Sequence, residues 1–278
     1  MIAFGKFNTL TVSNIQGHEV IFDGGENGEI RLADKNLAES CRIGQQHPVF
    51  VFIDGNQQIQ ASLITPKAQV DEVAWLKVVS LSHAGAFLDW GLPKDLLVPF
   101  SEQKTKMVEG RYYLVRLFLD ESNRIAASML LEDFIQEQVY YLKEGQAVDL
   151  IIADETELGV KAIINHQYWG LLYKNEIFQP LEKGQKIPGF IKHVRPDNKV
   201  DLILTQDKYT QQVNSAATKI LSALQKQAGY IALTDKSPPE QIYQNFGISK
   251  KIFKQAIGGL YKERKILIEA NGIRLVEK

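Results

Sequence analysis

The sequence predicts a mainly β, multidomain protein in which three small five-stranded β-barrels precede a C-terminal α+β winged helix. Two observations lead to this prediction. A β-rich pattern with a period of roughly 70 residues occurs three times. After Gln211 the hydrophobic period changes from that of strands to that of helices. We expect barrels over residues 1–66, 67–138 and 139–208, and the winged helix over residues 209–278.

The three repeats share one order of strands and turns. A strand, a polar turn and a glycine lie near the front of each unit, at residues 12–20, 79–87 and 152–160. Each unit ends with an acidic or polar turn and a short strand, at residues 52–62, 118–128 and 194–202. Turns spaced this closely between short apolar strands are typical of small barrels, and about 65 residues suffice for five strands.

The C-terminal segment has the pattern of three helices followed by a hairpin. Apolar residues at helical spacing follow Gln211 and predict the first helix. Ser237 before Pro238 can cap a second helix, and Ser249 can cap a third over residues 250–264. An Asn-Gly pair at residues 271–272 lies between two apolar runs, which is a strong hairpin signal.

Composition places the chain among ordinary globular proteins, with 45% hydrophobic and 23% charged residues. No stretch approaches the ~20 apolar residues that span a bilayer, and the N-terminus does not have the pattern of a signal peptide. Cys41 is the single cysteine, so an intrachain disulfide is excluded. We therefore expect a cytoplasmic protein without a membrane partner.

Catalytic motifs are missing from the sequence. The five histidines lack metal-ligand spacing such as HExxH, and there is no CxxC pair, Walker-type loop or GxSxG. We therefore expect no enzymatic activity, no metal and no cofactor; a two-metal nuclease is the least favoured interpretation.

Charge is distributed unevenly along a chain whose net charge is −1. Residues 1–66, 67–138, 139–206 and 207–278 carry net charges of −3, −3, −1 and +6 in order, and the last range has 12 basic and 6 acidic residues. A basic C-terminal region favours contact with nucleic acid, although a solvated basic face would have the same composition.

Three motifs in the second repeat are similar to those of a known domain. Residues 83–89 (HAGAFLD), 96–102 (LLVPFSE) and 120–128 (DESNRIAAS) resemble the ribosomal S1-type RNA-binding domain. The whole chain, three such repeats and then a winged helix, resembles the bacterial virulence factor B family of RNA-binding regulators. The resemblance implies OB-fold barrels, RNA as ligand and no established enzymatic activity.

The repeats depart from the pattern of the S1-type domain at several ligand-facing positions. The second repeat retains Phe87 but has Ala126 where a basic residue is usual. In the third repeat, Lys161 lies near the Phe position, Tyr173 near a His position and Asp201 near the basic one. No repeat carries the complete set of RNA-facing residues.

Barrels of this type bind single strands by stacking bases on aromatic rings within a basic groove. The third repeat has the largest set of candidates, and the second adds Phe87. Alternation along a strand places Tyr168 on one face and both Trp169 and Tyr173 on the other, so we expect one group to be core. The candidates from the third repeat are Lys161, Tyr168, Trp169, Tyr173, Lys174 and Lys192.

The winged helix offers phosphate-binding candidates. Lys250, Lys251 and Lys254 lie in the first turns of the predicted third helix, where positive charge opposes the helix dipole. Their position indicates an anionic partner, although simple solubility remains an alternative. Arg264 can add a phosphate contact from the wing.

These patterns predict a regulatory protein that binds single-stranded RNA through the third barrel and the winged helix and modulates RNA stability or expression. An alternative remains open. The acidic first two repeats could contact a protein, so that the chain is an accessory subunit of an RNA-processing or ribosomal complex.

Overall fold

The computed structural model describes residues 1–136, 138–205 and 208–276, with backbone alone at residues 208 and 209. It confirms the predicted fold class of five-stranded barrels followed by a winged helix. The described chain forms two compact units. The first holds Met1–Gln136 with His166–Tyr168, and the second holds the other described residues.

The first barrel is an antiparallel sheet in the order β3-β2-β1-β4-β5. Its strands are β1 Lys6–Gln16, β2 Glu19–Asp23, β3 Glu29–Ala33, β4 Gln46–Ile53 and β5 Ile59–Ser62. The sequence did not predict the short helix α1, Lys35–Ser40, between β3 and β4. The Asp34 carboxylate caps this helix by accepting a hydrogen bond from the Leu37 amide at 2.8 Å.

The second barrel repeats this arrangement in the order β10-β9-β6-β7-β8. Its strands are β6 Val73–Leu81, β7 Gly85–Asp89, β8 Leu96–Pro99, β9 Tyr112–Leu119 and β10 Ile125–Ser128. Phe50 from β4 packs edge-on against Trp90, with ring centroids 5.9 Å apart, and joins the core that includes Leu88 and Leu117. The first two barrels therefore share buried apolar surface within the first unit.

The third barrel is closed, in the order β11-β12-β13-β15-β14. Its strands are β11 Ala147–Glu155, β12 Gly159–Ile164, β13 Tyr168–Tyr173, β14 Lys186–Val194 and β15 Val200–Ile203. Parallel pairing of β13 with β15, in which Gly170 faces Val200 and Leu172 faces Leu202, closes the ring.

Equivalent glycines allow the second and third strands of two barrels to approach closely. A Cβ at Gly85 would lie 2.1 Å from the Val98 carbonyl oxygen, and one at Gly159 would lie 2.0 Å from that of Leu172. Both distances are far below van der Waals contact, so a residue with a side chain would force these strands apart.

The winged helix agrees with the predicted order of elements. Its elements are α2 Lys208–Lys226, β16 Tyr230–Ile231, α3 Pro239–Phe246, α4 Lys250–Lys262, β17 Ile266–Ile268 and β18 Ile273–Leu275. The two-residue strand β16 was not predicted; it pairs with β18 to give a three-stranded sheet in the order β16-β18-β17.

Two of its helix boundaries differ from the sequence prediction. Ser249 caps α4 as predicted, since its hydroxyl accepts from the Ile252 amide at 3.3 Å. The prediction for Ser237 was wrong: Pro238 is at the N-cap of α3, and the Ser237 hydroxyl accepts from the Thr234 amide at 2.9 Å. Helix α4 ends at Lys262, and Arg264 has a left-handed φ of 56°.

The apolar faces of the winged-helix elements share one core. Buried Ile220 and Leu224 of α2, Phe253 and Ile257 of α4, and Ile273 of β18 belong to it. The apolar stripe predicted for α4 therefore faces inward and leaves the lysine-bearing side outward. None of the described helices is both long enough and apolar enough to cross a membrane.

Candidate nucleic-acid interface

Strand β13 presents one buried and one accessible face. Tyr168, Gly170 and Leu172 are buried, whereas Trp169, Leu171 and Tyr173 are half-buried. The alternation expected from the sequence therefore separates the aromatic candidates into two groups. Tyr168 is only 5% exposed, so its ring is not accessible to a base.

Trp169 forms a cation–π pair with Lys161. The Lys161 ammonium nitrogen on β12 lies 3.9 Å from the Trp169 ring centroid. An ammonium group above an aromatic ring is attracted to its negative face. The pair places a positive charge beside an accessible aromatic surface, which is the combination that single-strand binding uses. A base stacking on that same ring face would displace Lys161, which could then contact a phosphate.

Tyr173 is held by Arg195, which was not among the site residues predicted from the sequence. The Arg195 guanidinium makes a two-pronged ion pair with Asp201, with Nη2–Oδ1 at 2.8 Å and Nε–Oδ2 at 3.0 Å. It also donates to the Tyr173 hydroxyl and lies 5.9 Å from that ring's centroid. The hydrogen bond to Asp201 holds the pKa of Arg195 above its ordinary value.

In the third barrel Asp201 lies near the position where S1-type domains usually have a basic residue, and here it pairs with Arg195. Asp201 is 9% exposed, and the guanidinium of Arg195 compensates its buried charge. Arg195 follows β14 directly, and its place as the first residue of the turn that leads to Asp201 is the signal in the sequence that could have identified it. The three groups fix the orientation of the Tyr173 ring while leaving the ring partly exposed.

Lys174 and Lys192 both have acidic partners. The Lys174 ammonium lies 3.5 Å from a Glu155 carboxylate oxygen, and Lys192 pairs with Glu176. Partly exposed ion pairs contribute about 0–1 kcal/mol, so a phosphate can compete for the lysine. Both lysines are therefore cations that already belong to ion pairs.

Phe87 belongs to the first unit and is half-buried on β7, opposite Leu97 of β8. Phe87 therefore lies in a different unit from Trp169 and Tyr173.

The lysines of α4 lie on the side of the helix away from its core. Lys251 and Lys254 are exposed, and Lys250 is half-buried. The Lys254 ammonium is 3.8 Å from an Asp235 carboxylate oxygen, a long ion pair between partly exposed groups. Positive side chains therefore flank the start of α4, next to the Ser249 cap.

Two arginines lie in or next to the wing, one exposed and the other in an ion pair. Arg264 is exposed just beyond α4. Arg274 on β18 pairs with Glu269 at 2.6 Å and lies 4.8 Å above the Tyr230 ring. The hydrogen bond to Glu269 holds the pKa of Arg274 above its ordinary value.

A cleft of about 650 Å³ lies within the second unit, between the third barrel and the winged helix. One wall includes Asn175 and Phe178, which follow the end of β13, and the other includes Lys219 of α2 and Ser249. Asn175 in the first wall directly follows Tyr173 and Lys174 in the chain. Ser249 in the second wall directly precedes Lys250. The lining includes polar amides, the Phe178 ring, the Lys219 ammonium and the Glu176 carboxylate.

A metal centre has no support in this geometry. Across residues 1–136, 138–205 and 208–276, no three His, Cys, Asp or Glu side chains gather closely enough to hold a metal ion. The one cysteine, Cys41, is buried in the first barrel.

Comparisons with known proteins match the domains of this chain individually. Residues 4–63 match the S1 domain model, and residues 218–275 match the CvfB-like winged helix domain model. The resemblance predicted from the sequence is therefore confirmed.

Relatives match the chain over its full length. The conserved virulence factor B of Staphylococcus aureus strain USA300 is 24% identical over 285 residues, covering 99% of this chain and 94% of that protein. The protein of the same name from Staphylococcus epidermidis strain ATCC 12228 is 25% identical over 286 residues, covering 99% and 95%.

One solved structure spans the chain. It is the crystal structure of a multidomain protein with nucleic acid binding domains from Streptococcus pneumoniae TIGR4, which covers 98% of both chains at 22% identity with a TM-score of 0.43.

Proposed function

We propose that this chain, which resembles the conserved virulence factor B proteins along its length, is a regulatory protein that binds single-stranded RNA without catalysing a reaction. The S1 and winged-helix domain matches support nucleic-acid binding in general. The aromatic surface of the third barrel favours a single strand, because duplex RNA hides base edges in a deep, narrow groove.

The observation that carries the proposal is the cleft of the second unit. Its barrel wall follows Tyr173, and its winged-helix wall leads into Lys250. A single strand that stacks on Trp169 and Tyr173 can pass along this cleft and place its phosphates near the lysines of α4. Phosphate contacts position the strand, and the stacked bases provide tolerance of sequence.

Charge supports the same assignment. Residues 207–278 carry 12 basic and 6 acidic residues, whereas the first two repeats each have a net charge of −3. A polyanion is attracted to the basic residues 207–278 and repelled by the acidic first two repeats. Several weak contacts in one unit can add up to useful affinity through their effective concentration.

Fluorescence anisotropy with labelled oligonucleotides tests this proposal. We expect single-stranded RNA to bind more tightly than duplex DNA of the same length. Replacing Trp169 and Tyr173 by Leu should weaken binding by about 1–3 kcal/mol per lost stack, or roughly 5- to 150-fold. Phe100→Leu is a matched control, since Phe100 is 57% exposed in the first unit.

Two results would contradict the proposal. Equal affinity for duplex DNA would remove the preference for single strands. Equal weakening by the Phe100 control would show that the effect of the aromatic substitutions is not specific to the third barrel.

A further inference from the structure

The first unit contains a cleft between its two barrels that the RNA proposal does not use. The cleft has a volume of about 620 Å³ and is lined by the last turns of both repeats. In each turn an aspartate accepts two backbone hydrogen bonds: Asp54 from Asn56 and Gln58, and Asp120 from Ser122 and Arg124. The two turns are joined by a backbone bridge between Ile53 and Arg124.

The lining of this cleft includes substantial apolar and aromatic surface. Phe52 and Phe118 are half-buried, and Trp90 is 5% exposed. Leu97 and Pro99 of β8 extend this surface. Part of each of these two rings is accessible, so a flat group that enters the cleft can pack against it.

Anionic groups dominate the polar lining of the cleft. Two cations, Lys94 and Arg124, face five carboxylates: Asp54, Asp95, Glu102, Asp120 and Glu121. Asp54 is held by the backbone of its turn, and Asp120 pairs with Arg124 at 2.9 Å. In the part of the chain that the structure describes, no Lys, Arg or His forms an ion pair with Asp95, Glu102 or Glu121.

The pair of Arg124 with Asp120 indicates which cation suits this environment. Both Nε and Nη2 of Arg124 donate to one Asp120 oxygen, at 3.0 and 2.9 Å. The guanidinium thus already finds a carboxylate partner in the lining of the cleft. Guanidinium groups also stack on aromatic faces, which a lysine ammonium does less well. A phosphate backbone would instead meet a net negative lining.

We propose that this cleft is a docking site for an arginine-rich segment of a partner protein, with guanidinium groups between the Phe52 and Phe118 rings and the carboxylates of Glu102 and Glu121. The site is independent of the RNA-binding surface of the second unit. The chain would then connect an RNA to a basic protein segment.

The probe for this proposal is a short labelled peptide of alternating Arg and Gly, titrated by anisotropy into the full chain. The wild type should bind this peptide more tightly than the matching Lys–Gly peptide. The double variant Glu102→Gln with Glu121→Gln should weaken binding by about tenfold or more, because each removes a charge-assisted contact.

A matched double variant distinguishes local contacts from diffuse attraction. Glu26 and Glu109 are exposed glutamates of the same unit that do not line the cleft. Replacing both by Gln removes the same net charge, and we expect Kd to change by less than about twofold. An equal effect of the two double variants would overturn the proposal, as would equal affinity for the Arg and Lys peptides.

A second variant blocks the cleft without altering its carboxylates. Gly55 lines the cleft, has no positive φ, and has no atom within 4 Å of the position a Cβ would take. Gly55→Arg should therefore fold normally, as checked by circular dichroism, and compete with the peptide for the same carboxylates. Peptide binding that survives this variant unchanged would overturn the proposal.

RNA titrations with the same variants separate this site from the proposed function. We expect Gly55→Arg to leave the affinity for single-stranded RNA unchanged. A matching loss of RNA affinity would assign the cleft to RNA and overturn peptide docking. Absence of any Arg–Gly peptide binding by the wild type would also overturn it, whereas absence of RNA binding would contradict only the proposed function.

Discussion

Alanine at Gly159, at the start of β12, should destabilise the protein, whereas alanine at Gly258, inside α4, should stabilise it. In Gly159→Ala, the new Cβ would lie 2.0 Å from the Leu172 carbonyl oxygen, whereas ordinary contact begins at 3.4 Å. Strands β12 and β13 must therefore separate locally by about 1.4 Å, the difference of these two distances. The strand that carries Trp169 and Tyr173 would be displaced.

The size of the effect follows from the hydrogen bonds at this position. The Lys174 amide, directly after β13, donates to the Leu158 carbonyl, directly before β12, at 3.2 Å. A movement of this size takes such bonds beyond hydrogen-bonding range. With roughly 1 kcal/mol for each lost bond and strain in addition, we expect the third barrel to lose about 2–4 kcal/mol.

Gly258→Ala is the matched control, with the opposite sign. Gly258 lies inside α4, and no atom lies within 4 Å of the Cβ it would gain. Because glycine is a poor helix former, alanine should stabilise α4 by about 0.5–1 kcal/mol.

Hydrogen exchange read by mass spectrometry measures each region separately, which matters in a multidomain chain. Amides of β12 and β13 should exchange faster in Gly159→Ala, and amides of α4 should exchange more slowly in Gly258→Ala. Unchanged protection of β12 in the first variant would refute the close-approach argument.

Three further predictions concern charge. Replacing Lys250, Lys251 and Lys254 by Ala should flatten the log–log salt dependence of RNA binding by about 2, at roughly 0.7 per phosphate. Arg195→Lys keeps the charge but loses the two-pronged contact that orients the Tyr173 ring, so RNA affinity should fall severalfold at an unchanged salt slope. Backbone hydrogen bonds from residues 58 and 56 hold the pKa of Asp54 below its ordinary 3.8. Its contribution to stability is therefore complete above pH 3.8 and is lost as the pH falls through the lowered pKa, and Asp54→Asn should flatten this acid-side loss of thermal stability.

The first of these predictions has a matched control, and each of the three has a result that would contradict it. Alanine at Lys35, Lys104 and Lys106, exposed lysines of the first unit, removes equal charge and should leave the salt slope nearly unchanged. An unchanged slope in the α4 variant would mean that its lysines only solubilise the helix. A changed slope in Arg195→Lys would assign Arg195 directly to phosphate, and identical acid-side melting of Asp54→Asn would exclude that carboxylate as a contributor.

Local patterns predicted those parts of the fold that depend on local chemistry. The Asn-Gly hairpin of the wing, the Ser249 cap and the two faces of β13 follow from residues close in sequence, and all are present in the structure. The short elements α1 and β16 were missed because six and two residues are too few to show a period.

The candidate site was predictable in composition but not in geometry. The sequence located the aromatic residues and lysines of the third repeat, yet it gave no means of pairing Tyr173 with Arg195 and Asp201 across 22 and 28 positions. That contact exists because β13 runs parallel to β15, a long-range pairing that no local motif encodes. For the same reason the sequence showed only that Asp201 stands where a basic residue is usual. The structure shows that Arg195 compensates its charge.

Ultraviolet crosslinking of single-stranded RNA to the full chain, with the crosslinked residues located by mass spectrometry, tests whether the strand lies on the third barrel and the winged helix. Aromatic side chains in contact with bases crosslink without an added reagent, so the method reports the binding surface itself. We expect crosslinks at Trp169 and Tyr173, with others along the cleft that leads to α4. Crosslinks confined to residues 1–136 would contradict this expectation.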